Sequence, residues 1–137
     1  MKKFISIILV IIWMIVIFTM SSFTASESSG QSNFIVELII SMFKFNNIEL
    51  ISLIVRKLAH FIEYFILGLL VFNMIRCYDK KIYIAIIICI LYAVSDEIHQ
   101  LFVVGRSCKI MDMLIDSMGS VSGILLFKRL IKKYNFY

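Results

Sequence analysis

Residues 4–20 read FISIILVIIWMIVIFTM, seventeen residues in which only Ser6 and Thr19 are polar. A helix needs about 20 apolar residues to cross the ~30 Å hydrocarbon core of a bilayer. Lys2 and Lys3 precede the run, as in a secretory signal. Signal peptides, however, have apolar regions of about 7–15 residues that end at a small-x-small site. This run is longer, and Phe23-Thr24-Ala25 is a poor cleavage site. It reads as a first membrane span that stays in the chain.

Working outward, the remainder supports the same class. The chain has 137 residues, 61% of them hydrophobic, with a mean hydropathy of +0.97. Ordinary soluble domains are roughly 45–50% apolar, so this chain carries more apolar surface than a water-facing shell can hide. Disorder is excluded too, because charge is sparse and aliphatic residues dominate. Four spans use most of the length and leave a single membrane domain over residues 1–137. Cys77, Cys89 and Cys108 have no CxxC spacing, so neither a disulfide framework nor a zinc knuckle follows from them. No proline is present.

The pattern predicts spans at about 4–20, 57–76, 82–100 and 110–130, giving an all-α polytopic fold. Ser21 to Asn33, rich in Ser, Thr and Gly, reads as a loop. Phe34 to Phe45 is apolar but short, holds Glu37 and Lys44, and reads as an outer interfacial helix broken by Asn46-Asn47. Arg76 to Lys81 is a charged turn, and Leu101 to Lys109 is a loop around Gly105-Arg106. With the N-terminus in the cytoplasm, one side holds nine Lys and Arg against Asp79 alone. The other side holds Lys44, Arg56, Lys57, Arg106 and Lys109 against the remaining eight acids. The positive-inside rule then places both termini in the cytoplasm. In such a chain the net charge of +5 points to membrane orientation and not to nucleic acid.

Several ionisable groups sit where hydrocarbon is expected. Arg56, His60 and Glu63 lie within roughly 60° of one another at about 100° per residue. Asp96, Glu97, His99 and Gln100 close the third span, and Asp112 and Asp116 are one turn apart on the fourth, in line with Gly119 and Gly123. A charge at mid-bilayer costs about 2.5–3.5 kcal/mol on insertion scales, so these groups are expected to face one another or water in an outward polar pocket. Gly119 and Gly123 form a GxxxG, which lets a neighbouring helix approach closely.

Two chemistries fit such a pocket. One is acid–base work on a lipid head group, with His60, Glu63, Asp96 and His99 as catalytic candidates and Arg56, Glu97, Gln100, Arg106, Asp112 and Asp116 as substrate-binding ones. Within this set His60 and Glu63, three apart on a helix, make the expected working pair, with Arg106 on a phosphate. The other is a divalent metal on His60-x-x-Glu63 and Asp96-x-x-His99; the nearby cations repel an ion, so neither a metal nor another cofactor is expected. The bland alternative is that the charges pair only to hold the bundle together. A transporter needs polar groups along a full path, and Ile84 to Ile90 is almost purely aliphatic.

Arg56-Lys57-Leu58-Ala59-His60-Phe61-Ile62-Glu63-Tyr64-Phe65-Ile66-Leu67-Gly68 resembles the signature of VanZ-like membrane proteins. So does Ser95-Asp96-Glu97-Ile98-His99-Gln100-Leu101-Phe102-Val103-Val104-Gly105-Arg106. Asp112, Asp116, Gly119 and Gly123 match the family's last block, and the serines around Ser21-Ser22 and Ser28-Ser29 resemble its first outer loop. Val104 stands where the family commonly has proline. The resemblance implies a small helical membrane domain with a link to teicoplanin-type glycopeptide tolerance. It also implies a kinship with enzymes of lipid head groups. The expected partners are therefore membrane lipids or a lipid-linked cell-wall precursor, and the glycopeptide itself if the protein is a non-catalytic resistance factor. The expected location is a Gram-positive-type cytoplasmic membrane.

Overall fold

The computed structural model describes residues 2–43 and 47–134. Its described residues form five helices and no strand: α1 (Lys2–Ser21), α2 (Ala25–Phe43), α3 (Ile48–Cys77), α4 (Ile82–Gln100) and α5 (Ile110–Tyr134). All but α2 are long and apolar enough to cross a membrane. The expected four spans and the additional helix are present, with two corrections to their boundaries.

The first concerns the serine-rich stretch, which is helical from Ala25 and not a loop to Asn33. Thr24 and Glu27 form a reciprocal capping box: Thr24 N–H donates to the Glu27 carboxylate at 2.9 Å, and Glu27 N–H donates to the Thr24 hydroxyl at 3.3 Å. The Thr24 hydroxyl, which donates to Glu27 Oε2 at 2.7 Å, and then the Thr24 N–H hold the Glu27 carboxyl below its usual range. Ser29 returns its hydroxyl to the Ala25 carbonyl, so a serine here fits the helix and need not break it. The expected end of this helix at Lys44, Phe45 and Asn46 lies outside the described residues.

The second concerns α3, which begins nine residues before the predicted span. Asn47 caps it by accepting from Leu50 N–H at 3.1 Å. Glu49, Ser52, Arg56 and Lys57 are unfavourable in hydrocarbon but not in a helix, so the helix runs on. Its 30 residues reach about 45 Å, well beyond a hydrocarbon core. The turn after it is as expected, with Asp79 in the left-handed region (φ 54) and Lys80 N–H bonded to Ile75.

The central helix is α3, which packs against each of the others. Its inward stripe runs His60, Tyr64, Leu67, Val71, Ile75, and it meets Ala85, Cys89 and Ala93 of α4, Ile124 of α5, and Val10 and Ile17 of α1. The usual distribution of polarity is inverted: Ile12 and Ile15 are 52% and 58% exposed, while Glu97 and Asp116 are 0% exposed. Such a surface suits lipid and not water. Trp13 Nε1–H donates to the Glu63 carbonyl at 2.9 Å, and Tyr92 OH to the Met14 carbonyl at 2.6 Å, so two polar tips stitch α1 to α3 and α4.

The closest helix pair is α3 with α5. A Cβ at Gly119 meets the Phe61 backbone, one at Gly123 meets Phe65, and one at Gly68 meets Ser120. Residue numbers rise together along both helices, so α3 and α5 run parallel. Gly123→Val forces them apart. It is expected to cost about 1–3 kcal/mol, the usual range for overpacking, and to lower the thermal midpoint in detergent. Gly30→Ala, where the new methyl meets nothing within 4 Å, is expected to leave the midpoint unchanged or higher. Equal midpoints for Gly123→Val and the parent chain refute the close-packed seam.

Candidate functional site

One end of the bundle collects the ionisable groups. The Ser21 end of α1, the middle of α3, the Asp96–Gln100 end of α4 and the Asp112 end of α5 converge there. The parallel register of α3 and α5 determines who meets whom. Lys57 forms an ion pair with Asp112. One turn further along both helices, His60 Nδ1 lies 3.6 Å from Asp116 Oδ1. The partner of His60 is therefore Asp116 on the neighbouring helix, whereas the sequence spacing suggested Glu63 on its own. Glu63 is partly buried, and its backbone carbonyl receives Trp13.

The two buried acids of α4 face different neighbours. Asp96 turns to α1, where Ser21 Oγ donates to Oδ2 at 2.8 Å, and Gln100 Nε2 donates to the same oxygen at 3.4 Å. Glu97 turns to the start of α5 and accepts from Lys109 N–H at 2.9 Å. His99 lies on another side, its ring 4.4 Å from that of Phe18 and tilted by 34°. Several buried polar atoms have no hydrogen-bond partner among the described residues: both carboxylate oxygens of Asp116, Nδ1 of His60 and of His99, Oε1 of Glu97, Oδ1 of Asp96, Nε of Arg56 and the hydroxyl of Tyr64. Buried polar groups of this kind are costly and uncommon.

Arg56 and Arg106 reach outward to different partners. Arg56 Nη2 donates to Ser29 Oγ at 3.1 Å, tying α3 to α2. Arg106 Nε donates to the Phe23 carbonyl at 2.9 Å and Nη2 to the Met20 carbonyl at 3.5 Å, so its fork covers the carboxyl end of α1. Burial and the neighbouring Arg56 weaken the hold of Arg106 on its proton, while Asp96, Glu97 and Glu63 oppose the shift. Its ordinary value is so high that it remains a cation. Gly105, at φ 75, packs against the Ala25 side chain, and Val104 accepts from Ala25 N–H, which docks the 101–109 loop on the start of α2.

A small cavity of about 60 Å³ lies beneath this loop, lined by Ala25, Arg56, His60, Gln100, Arg106, Lys109 and Asp112, among others. A cavity of this size has room for a few water molecules. Of the candidates, Arg56, His60, Gln100, Arg106 and Asp112 line it, and Asp116 backs His60. Asp96 and Glu97 are buried beside other helices, and Glu63 and His99 do not line it. Among the described residues, no three His, Cys, Asp or Glu gather closely enough to hold a metal ion.

Two residues outside the candidate set, Ser21 and Lys57, complete the site. Ser21 belongs to the α1 stripe Ser6, Val10, Ile17, Ser21, whose spacing of four, seven and four marks one face. Lys57 and Asp112 are linked only through the α3–α5 register, for which no local pattern exists.

No curated protein and no solved structure matches this chain. A family model described as VanZ/LLP1 matches residues 5–132. With nearly its whole length covered, and with the four membrane-length helices and the polar motifs in place, the chain belongs to the VanZ/LLP1 family.

Proposed function

We propose that the polar end of the bundle binds the phosphorylated head group of an anionic envelope lipid or lipid-linked cell-wall precursor. Through that lipid the protein contributes to tolerance of teicoplanin-type glycopeptides. The observation that carries the reading is the His60–Asp116 pair, inside a membrane-length bundle, beside a cavity that Arg56 also lines. Buried ionisable groups in spans cost free energy and cluster at functional sites. At 3.6 Å the Asp116 carboxylate faces His60 Nδ1 without a hydrogen bond, which places an imidazole beside a buried acid. His60 is accordingly the acid–base candidate, with Asp116 as its acidic neighbour. In this reading Arg106 keeps the loop closed over the cavity.

A specific observation also favours a non-catalytic factor. Arg106 is spent on two carbonyls and Lys57 on Asp112, so part of the charge serves the scaffold. Mass spectrometry of lipids carried and altered by the purified full chain separates the two. The parent chain is expected to retain an anionic phospholipid. A water-cleaved product that disappears in His60→Gln supports catalysis; retention without product in either form supports the binding factor. A parent chain that retains no phospholipid overturns the reading.

The same reading places the polar end outside the cell and both termini in the cytoplasm, because Lys2, Lys3, Arg76, Lys80, Lys81, Lys128, Arg129, Lys132 and Lys133 all belong to the opposite end. In intact cells, a membrane-impermeant maleimide is expected to label Cys108 and to miss Cys77. Labelling of Cys77 alone reverses the orientation.

A further inference from the structure

A second, larger recess lies beside the small cavity. It measures about 400 Å³ and runs between the first three turns of α3 and the start of α5. That volume falls within the ~300–1,000 Å³ of small-molecule sites. Three cations line it: Arg56, Lys57 and Lys109. Lys57 is engaged by Asp112, which lies in the same wall, and Glu49 is the other acid of the lining. The balance remains positive. Arg56 spends Nη2 on Ser29, while its buried Nε meets no acceptor among the described residues. Lys109 has an exposed side chain, and its position is fixed by the bond from its backbone N–H to Glu97.

The lining is not polar throughout. Ile48 and Leu53 belong to it and are 61% and 55% exposed. A cationic floor with an open apolar flank suits a ligand that has a phosphate at one end and hydrocarbon at the other. We propose that this recess holds the phosphate ester of a membrane lipid, with Arg56 and Lys109 on its oxygens and its chains leaving towards the bilayer. Arg56, Lys109 and Asp112 also line the small cavity, so a phosphate on Arg56 adjoins the compartment that contains His60. The proposal deepens the lipid-binding reading and rests on it. It assigns the anion contact to Arg56 and Lys109 and leaves Arg106 to the α1 carbonyls.

Native mass spectrometry of the full chain in detergent, with added phosphatidylglycerol, diacylglycerol or inorganic phosphate, tests the assignment. A charge-assisted hydrogen bond is worth enough to change affinity about tenfold or more. Phosphatidylglycerol retention is therefore expected to fall at least about tenfold in Lys109→Gln and in Arg56→Gln. Arg56→Lys is expected to recover part of it, and Lys128→Gln and Lys132→Gln at the other end are expected to match the parent. Lys109 is exposed, so its substitution leaves the bundle folded. Diacylglycerol retained as well as phosphatidylglycerol overturns the phosphate contact. Inorganic phosphate bound in place of any lipid overturns the lipid assignment. If the parent retains phosphatidylglycerol and both groove variants retain it equally, the recess is wrong while the lipid-binding reading stands. If the parent retains none, both fall together.

Discussion

The α3–α5 seam governs the rest of the structure. Two parallel helices approach until Gly119 and Gly123 lie on the backbone of Phe61 and Phe65, and Gly68 lies on that of Ser120. In lipid there is no hydrophobic force between helices, so close packing of small residues is a main source of association. Once this seam is in register, the positions one and two turns away are determined. Asp116 falls beside His60, and Asp112 beside Lys57. A shift of one helical turn separates both pairs at once.

The buried stripe of α3 changes character along its length. From Leu67 to Ile75 it is aliphatic and faces Ala85, Cys89 and Ala93, whose small side chains let α4 lie close. From Tyr64 outward the same stripe becomes His60 and then Arg56, and α4 changes in step from Ala93 to Asp96, Glu97 and Gln100. The aliphatic half contributes packing. The polar half bears a desolvation cost that a bundle of this size could avoid with leucine. Two recesses, one small beneath the 101–109 loop and one wider beside α3, open on that costly half.

Long apolar runs made α1, α4 and α5 legible from composition alone, because hydropathy reports bilayer length directly. The two boundary differences have one cause. Polarity ends a membrane span but not a helix: Thr24-Ala25-Ser26-Glu27 carries the signature of a helix start, and Glu49, Arg56 and Lys57 are good helix formers that only hydrocarbon rejects. The clustering of Arg56, His60 and Glu63 on one stripe followed from 100° per residue. The choice of Asp116 over Glu63 did not, because it depends on the offset between two helices remote in sequence. Likewise, nothing local in Gly105-Arg106 reveals that the guanidinium lies on the carbonyls of Met20 and Phe23, some eighty residues earlier.

The central claim is that the buried His60–Asp116 pair is retained for chemistry or binding and not to hold the bundle. Equilibrium unfolding of His60→Leu/Asp116→Leu, compared with each single substitution, addresses it most directly. Replacing both members of a buried pair by apolar residues is often neutral or stabilising, whereas removing one strands the other. The account predicts that each single variant is less stable than the parent by about 3–5 kcal/mol at most, while the double variant equals or exceeds the parent. A double variant less stable than either single contradicts the account, because the pair is then part of what holds the helices together.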